Sequence, residues 1–120
     1  TPEEWVRQHT LLYLMNEKEF PPSLIAVERK IPFKGIIKRY DIVVHHPNGS
    51  ILLLVECKAP QIKINQDVFD QIARYNLSLN ADLLMVTNGL NHYFCALDYI
   101  NKNYHFLRSL PSYSTVKKNP

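Results

Sequence analysis

The sequence predicts an α/β domain: one mixed β-sheet flanked by helices, in the order α-β-β-β-α-β-β. Three observations carry this expectation. Apolar residues recur at helical spacing in two segments, one near the N-terminus and one in the middle of the chain. Short runs rich in Val, Ile, Leu, Tyr and Phe stand around them, bounded by Gly, Pro and Asn. One of these runs, ILLLVECKAP, is apolar on both faces, which puts it at the centre of the sheet.

The elements follow in order. Residues 3–17 read as an amphipathic helix with Val6, Thr10, Tyr13 and Leu14 toward the core, started by Pro2 and two glutamates. Phe20-Pro21-Pro22-Ser23 breaks it. Residues 24–31 form a first strand, 32–35 a loop, and 36–46 with 51–58 a hairpin around Asn48-Gly49. Within its second strand, Leu52 and Leu54 take one face and Leu53 and Val55 the other. A second helix spans 65–80 with Asn65 as N-cap and Val68, Phe69, Ile72, Ala73 and Leu79 as its buried stripe. Strands at 82–87, 92–97 and 104–108 complete the sheet. Residues 1–110 are read as a single domain and 111–120 as a poorly ordered tail.

At 120 residues and 46% hydrophobic content the chain suits one core. Its net charge of +3 is compatible with a polyanionic partner without demanding one. No run reaches the roughly 18 apolar residues of a membrane span, and no signal-peptide pattern opens the chain. The absent start methionine points to trimming of a short preceding segment. Cys57 and Cys95 fall in strands without zinc-type spacing, so they read as reduced core thiols of a cytoplasmic protein. Trp5 and the seven tyrosines read as core and rim packing.

The chemistry sits in the hairpin. With Asn48-Gly49 as a two-residue turn, partner positions sum to 97 and Asp41 falls opposite Glu56. Lys58 shares the face of Glu56 because side chains alternate along a strand. Like charges placed directly across a sheet, Cβ atoms roughly 5 Å apart, destabilise it. A divalent metal reconciles them: carboxylates are the natural ligands of Mg²⁺, for which Mn²⁺ can substitute, and the Cys57 carbonyl is placed to offer a third oxygen. Lys58 then stands beside the metal, able to orient a water and counter charge on a phosphate. The competing explanation is an ion-pair cluster of Arg39, Asp41, Glu56 and Lys58.

Asp41, fourteen intervening residues, then Glu56-Cys57-Lys58 resembles the D…ExK core of the PD-(D/E)XK nuclease superfamily. PEEWVRQ, KRYDIVV, LLLVECKAP, QIARYN and VTNG, in that order, further resemble the N-terminal nuclease-like domain of type I restriction enzyme R subunits. Tyr40 stands where that superfamily commonly has proline before its aspartate. The resemblance implies a restriction-endonuclease-like sheet, Asp41 and Glu56 as metal ligands, Lys58 as catalytic lysine, and a first-helix glutamate at the metal, placed on Glu4 with Glu3 as the alternative.

Gln71 and Tyr75, four residues apart, share a face of the second helix, with Arg74 beside it. QIARY resembles the QxxxY motif of one nuclease branch, which implies supporting roles at the site for Gln71 and Tyr75. Arg7, Arg39, Arg74 and Lys38 are candidate phosphate contacts. His45 and His46, at the turn, are not assigned as bases. The expected function is Mg²⁺-dependent hydrolysis of phosphodiester bonds in nucleic acid, DNA above all. The rival is an inactive nuclease-fold module that binds nucleic acid or a protein partner. No G-x-x-x-x-G-K-[ST] motif is present, so any helicase motor or specificity partner is expected in another chain, and a homodimer is compatible with the sequence.

Overall fold

Six strands form one sheet whose spatial order follows the chain: β1 (Ile25–Phe33), β2 (Ile36–His45), β3 (Ile51–Cys57), β4 (Leu83–Thr87), β5 (His92–Asp98) and β6 (Asn103–Leu107). This computed structural model describes residues 1–117. Helix α1 (Pro2–Asn16) packs on one face of the sheet, α2 (Gln66–Asn76) on the other, and a short α3 (Tyr113–Val116) returns to the α1 side. All neighbouring strands are antiparallel except β3 and β4, which α2 joins as a crossover. The predicted mixed sheet and its helix–strand order are therefore present, and β3 is central. No helix among the described residues is long and apolar enough to cross a membrane.

Each helix is started by the residue its sequence supplies. Thr1 accepts from the Glu4 amide, while the Glu4 carboxylate reaches back to the Thr1 amine, a capping box. Asn65 accepts from the Val68 amide and caps α2, whose last turn tightens into a 3-10 turn at Leu77–Leu79. Val6, Thr10 and Leu14 bury the α1 stripe against Ile42, Leu53 and Val55. Phe69, Ala73 and Leu77 bury that of α2 against Val43, Leu54 and Val86. Trp5 remains 46% exposed, a rim residue.

The hairpin differs from the expected two-residue turn. Pro47 takes the second position of a turn that its fixed φ favours, and Gly49 follows at φ +91°, so Pro47-Asn48-Gly49 makes a three-residue loop. Partner positions accordingly sum to 96 beside the loop, at His45 and Ile51. A bulge at Leu52 then restores 97 for Val44–Leu53, Val43–Leu54 and Ile42–Val55. Leu52 consequently joins the same core as Leu53, against the strict alternation expected for it. Residues 113–116 also differ from the expected disordered tail: Tyr113 packs its edge on Phe20, ring centroids 5.8 Å apart. The final residues of that tail, 118–120, lie outside the described residues.

Gly89, in the turn between β4 and β5, has φ +87°, and a Cβ there would lie 2.9 Å from the Trp5 ring. Gly89→Ala is expected to lower stability by about 1–3 kcal/mol through that strained backbone alone, read as a shift of the urea midpoint.

Candidate functional site

The site lies where two halves of the sheet part. The β2–β3 ladder ends at Ile42–Val55, while β2 continues back to Ile36 paired only with β1. Beyond that point β3 continues paired with β4, through Glu56–Val86 and Cys57–Thr87. At the junction the Asp41 carboxylate enters the gap and accepts the Cys57 amide at 2.7 Å. Asp41 and Glu56 thus flank the junction, but the ladder stops one residue short of pairing them, and they do not share the face expected from the sequence: Asp41 acts on the α1 side and Glu56 lines the α2 side. The Lys58 amide donates to the Thr87 carbonyl at 2.7 Å, extending the parallel pairing by one bond and fixing the strand end that presents its side chain.

On the α2 face a pocket of about 190 Å³ is lined by Lys38, Glu56, Lys58, Gln71, Tyr75 and Asn76, among others. It gathers four residues singled out from the sequence, Glu56, Lys58, Gln71 and Tyr75. Glu56 is 7% exposed and meets the Lys38 ammonium at 3.0 Å. Lys58 forms no ion pair among the described residues. The Tyr40 hydroxyl donates to Asn76 Oδ1 at 2.5 Å and Asn76 donates to the Ile72 carbonyl, tying β2 to α2 beneath the pocket. Burial raises the Tyr40 hydroxyl pKa well above a phenol's, with Glu56 and Tyr75 adding to the effect.

The remaining candidates lie elsewhere. Asp41 is partly buried and does not line this pocket; its charge acts on the Cys57 thiol, whose surroundings are Thr10, Arg7 and Glu3 on the α1 side. Glu4 is engaged with Thr1, so Glu3 is the first-helix acid felt near Asp41 and Cys57. Arg7 and Arg39 converge on Glu28, at 2.5 and 2.9 Å, and hold its carboxyl below the usual range. Arg74 is exposed and acts on Asp70 and Tyr104. A larger cavity of about 370 Å³ under α1 contains His9 and His92, whose rings are already bonded to the Trp5 carbonyl and the Thr87 hydroxyl.

Sequence reasoning missed two partners. Lys34-Gly35, both at positive φ, is a two-residue turn, and its register leaves Glu28 and Asp41 at the interruption between the pairs Val27–Ile42 and Arg29–Tyr40. Lys38 it placed among phosphate contacts without its partner Glu56. His46, unassigned, is buried and bonded to Asp82 at 2.6 Å, far along the strands from the junction.

The donors fit a hard divalent cation in kind. Asp41 and Glu56 supply carboxylates, one oxygen of Asp41 accepting the Cys57 amide and one of Glu56 meeting Lys38. Among the described residues no three His, Cys, Asp or Glu side chains cluster as a metal cage. Two carboxylates suffice for Mg²⁺, which keeps several waters and takes phosphate oxygens from its substrate.

A family model described as the type I restriction enzyme R protein N terminus matches residues 2–111. The fold is similar to a fragment structure described as an HsdR subunit of a type I restriction enzyme from Vibrio vulnificus YJ016, with a TM-score of 0.61 and 19% identity. That match covers 93% of this chain and 24% of the other, so the chain spans about a quarter of its length. No curated protein matches the chain.

The buried thiols give a pH test. Burial pushes both Cys57 and Cys95 from an ordinary 9.0 up to about 12, with the Asp41 charge adding at Cys57. Both stay protonated where an unfolded chain ionises, so their contribution is complete below pH 9 and is lost as pH rises toward about 12. Urea unfolding at pH 8 and pH 11 is expected to show this loss in the wild type and a smaller one in the Cys57→Ala/Cys95→Ala variant.

Proposed function

Because the chain belongs to the family of type I restriction enzyme R protein N-termini, we propose that it is a nuclease domain hydrolysing phosphodiester bonds, with DNA as its substrate. One observation carries this reading: Glu56, Lys58, Gln71 and Tyr75, from a strand end and the following helix, line one pocket beside the carboxylate-held junction. Glu56 and Lys58 stand at the carboxyl end of β3, beside its parallel pairing with β4. The D…ExK spacing supports assignment to the PD-(D/E)XK superfamily.

In this reading Asp41 and Glu56 hold Mg²⁺, or Mn²⁺ in its place, with the Cys57 carbonyl as a further oxygen and a first-helix glutamate nearby. The bound ion supplies Lewis acidity toward a phosphate oxygen and an acidified water. Lys58 orients that water and counters charge building on the phosphate. Gln71 and Tyr75 shape the wall against which the nucleic-acid strand lies. Arg7 and Arg39 reach phosphate only by sharing themselves with Glu28, so they act through the charge of that cluster. The family also points to a motor and a specificity subunit as partners, with DNA held in common.

A second reading is favoured by the Lys38–Glu56 ion pair, which neutralises a proposed metal ligand. It makes the domain a non-catalytic module that binds nucleic acid or a protein partner. Plasmid and single-stranded DNA incubated with Mg²⁺ or Mn²⁺ separate the two. Cutting that falls about 10²–10³-fold in Lys58→Ala, the size of one lost electrostatic stabiliser, is the expected result. Wild-type protein that folds, binds DNA and leaves it uncut with either ion supports the module.

A further inference from the structure

The sequence gives Lys38 no part beyond a phosphate contact, yet the protein builds a seat for it. Its ammonium lies 3.0 Å from Glu56 Oε1, 5.6 Å from the centroid of the Tyr40 ring and 5.0 Å from that of Tyr75. Both rings are fixed from behind. Tyr40 is tied to Asn76 through its hydroxyl, and Tyr75 packs on Phe33 at 4.8 Å between centroids. Two aromatic faces and a carboxylate make a cation cage. Glu56 is buried, and Lys38 is the cation that meets its carboxylate.

We propose that Lys38 is the resident partner of Glu56: it holds that carboxylate in place, competes with the divalent cation for it, and on displacement turns to a phosphate of the bound strand. The proposal rests on the nuclease reading and assigns a job to a residue that reading omits. A lysine suits the exchange. Its compact ammonium rides on a flexible four-carbon stem, so it can leave Glu56 without moving the strand. The space available to it is the same pocket that Lys58 and Gln71 line, so a phosphate there meets two ammonium groups. Lys38 is thus a positioning residue before the ion arrives and a substrate contact afterwards.

The test is Mn²⁺ binding by calorimetry without DNA, on the wild type, Lys38→Met, Lys38→Arg and Glu56→Gln. Lys38→Met is expected to bind Mn²⁺ about tenfold more tightly, since one charge-assisted contact of Glu56 no longer has to be given up. Lys38→Arg, whose guanidinium can grip a carboxylate by two bonds, is expected to bind it more weakly than wild type. It keeps the charge and so decides the matter if Lys38→Met fails to fold. In a Lys58→Ala background that leaves DNA intact, adding Lys38→Met is expected to weaken Mn²⁺-dependent DNA binding and to flatten its salt dependence by about one phosphate contact. Mn²⁺ affinity that is lost in Glu56→Gln but indifferent to both Lys38 variants overturns the proposal and leaves the nuclease reading standing. Wild-type protein that binds no Mn²⁺ overturns both.

Discussion

The hydrogen bond from the Cys57 amide to the Asp41 carboxylate, 2.7 Å long, sits where the sheet would otherwise come apart. An amide at the end of a central, buried strand needs an acceptor, and the departing β2 no longer offers a main-chain carbonyl to it. The carboxylate substitutes for one. That substitution lets the β1–β2 hairpin lean away while β3 stays joined to β4, and the gap between them is the cleft. Glu28, Asp41 and Glu56 stand on three successive strands where the β2–β3 ladder ends. Glu28 is met by two arginines, Asp41 by a main-chain amide and Glu56 by Lys38. Each acid has its own partner, so neighbouring charges do not have to share one.

The parallel pairing of β3 and β4 has a second effect. A parallel connection must run over the face of the sheet, and here it does so as α2. The helix that closes the core with Phe69 and Ala73 therefore presents Gln71 and Tyr75 over the carboxyl end of β3. Asn76 completes the connection by receiving the Tyr40 hydroxyl from the opposite side of the cleft. The hairpin, the central strand and the crossover helix are thus cross-linked by buried polar contacts around one pocket. The buried ones among its polar groups, Glu56, Asn76 and the Tyr40 hydroxyl beneath it, each have a partner, which keeps a charged cavity compatible with a packed core.

Much of this was legible in the residues. The start of α1 at Pro2, the cap of α2 at Asn65 and the central place of β3 all follow from short-range chemistry. What escaped the sequence depends on three-dimensional partners. Lys34-Gly35 is a weaker turn signal than Asn-Gly, so Glu28 could not be set beside Asp41 in advance. The pairing of Lys38 with Glu56 requires Tyr40 and Lys38 to turn toward α2 while the Asp41 charge acts on the α1 side, a local break in alternation that no periodicity announces. Arg7 and Arg39 read as free basic residues because the acid that gathers them lies on an edge strand at φ +52°.

The expected sum of 97 from Val44–Leu53 to Ile42–Val55 arises from two compensating features, and that compensation bears on how the hairpin assembles. A ladder zipped straight outward from the three-residue loop would keep the sum of 96 and set Asp41 against Val55. Every residue of β3 beyond Leu52 would then exchange faces, sending Leu54 toward α1 and Val55 toward α2. Leu52 prevents this by stepping out of the ladder, so the bulge acts as a register gauge lying between the loop and the site. Changes in loop length and changes at Leu52 are therefore coupled: one residue gained or lost at Pro47–Gly49 is silent at the pocket only if the bulge changes with it.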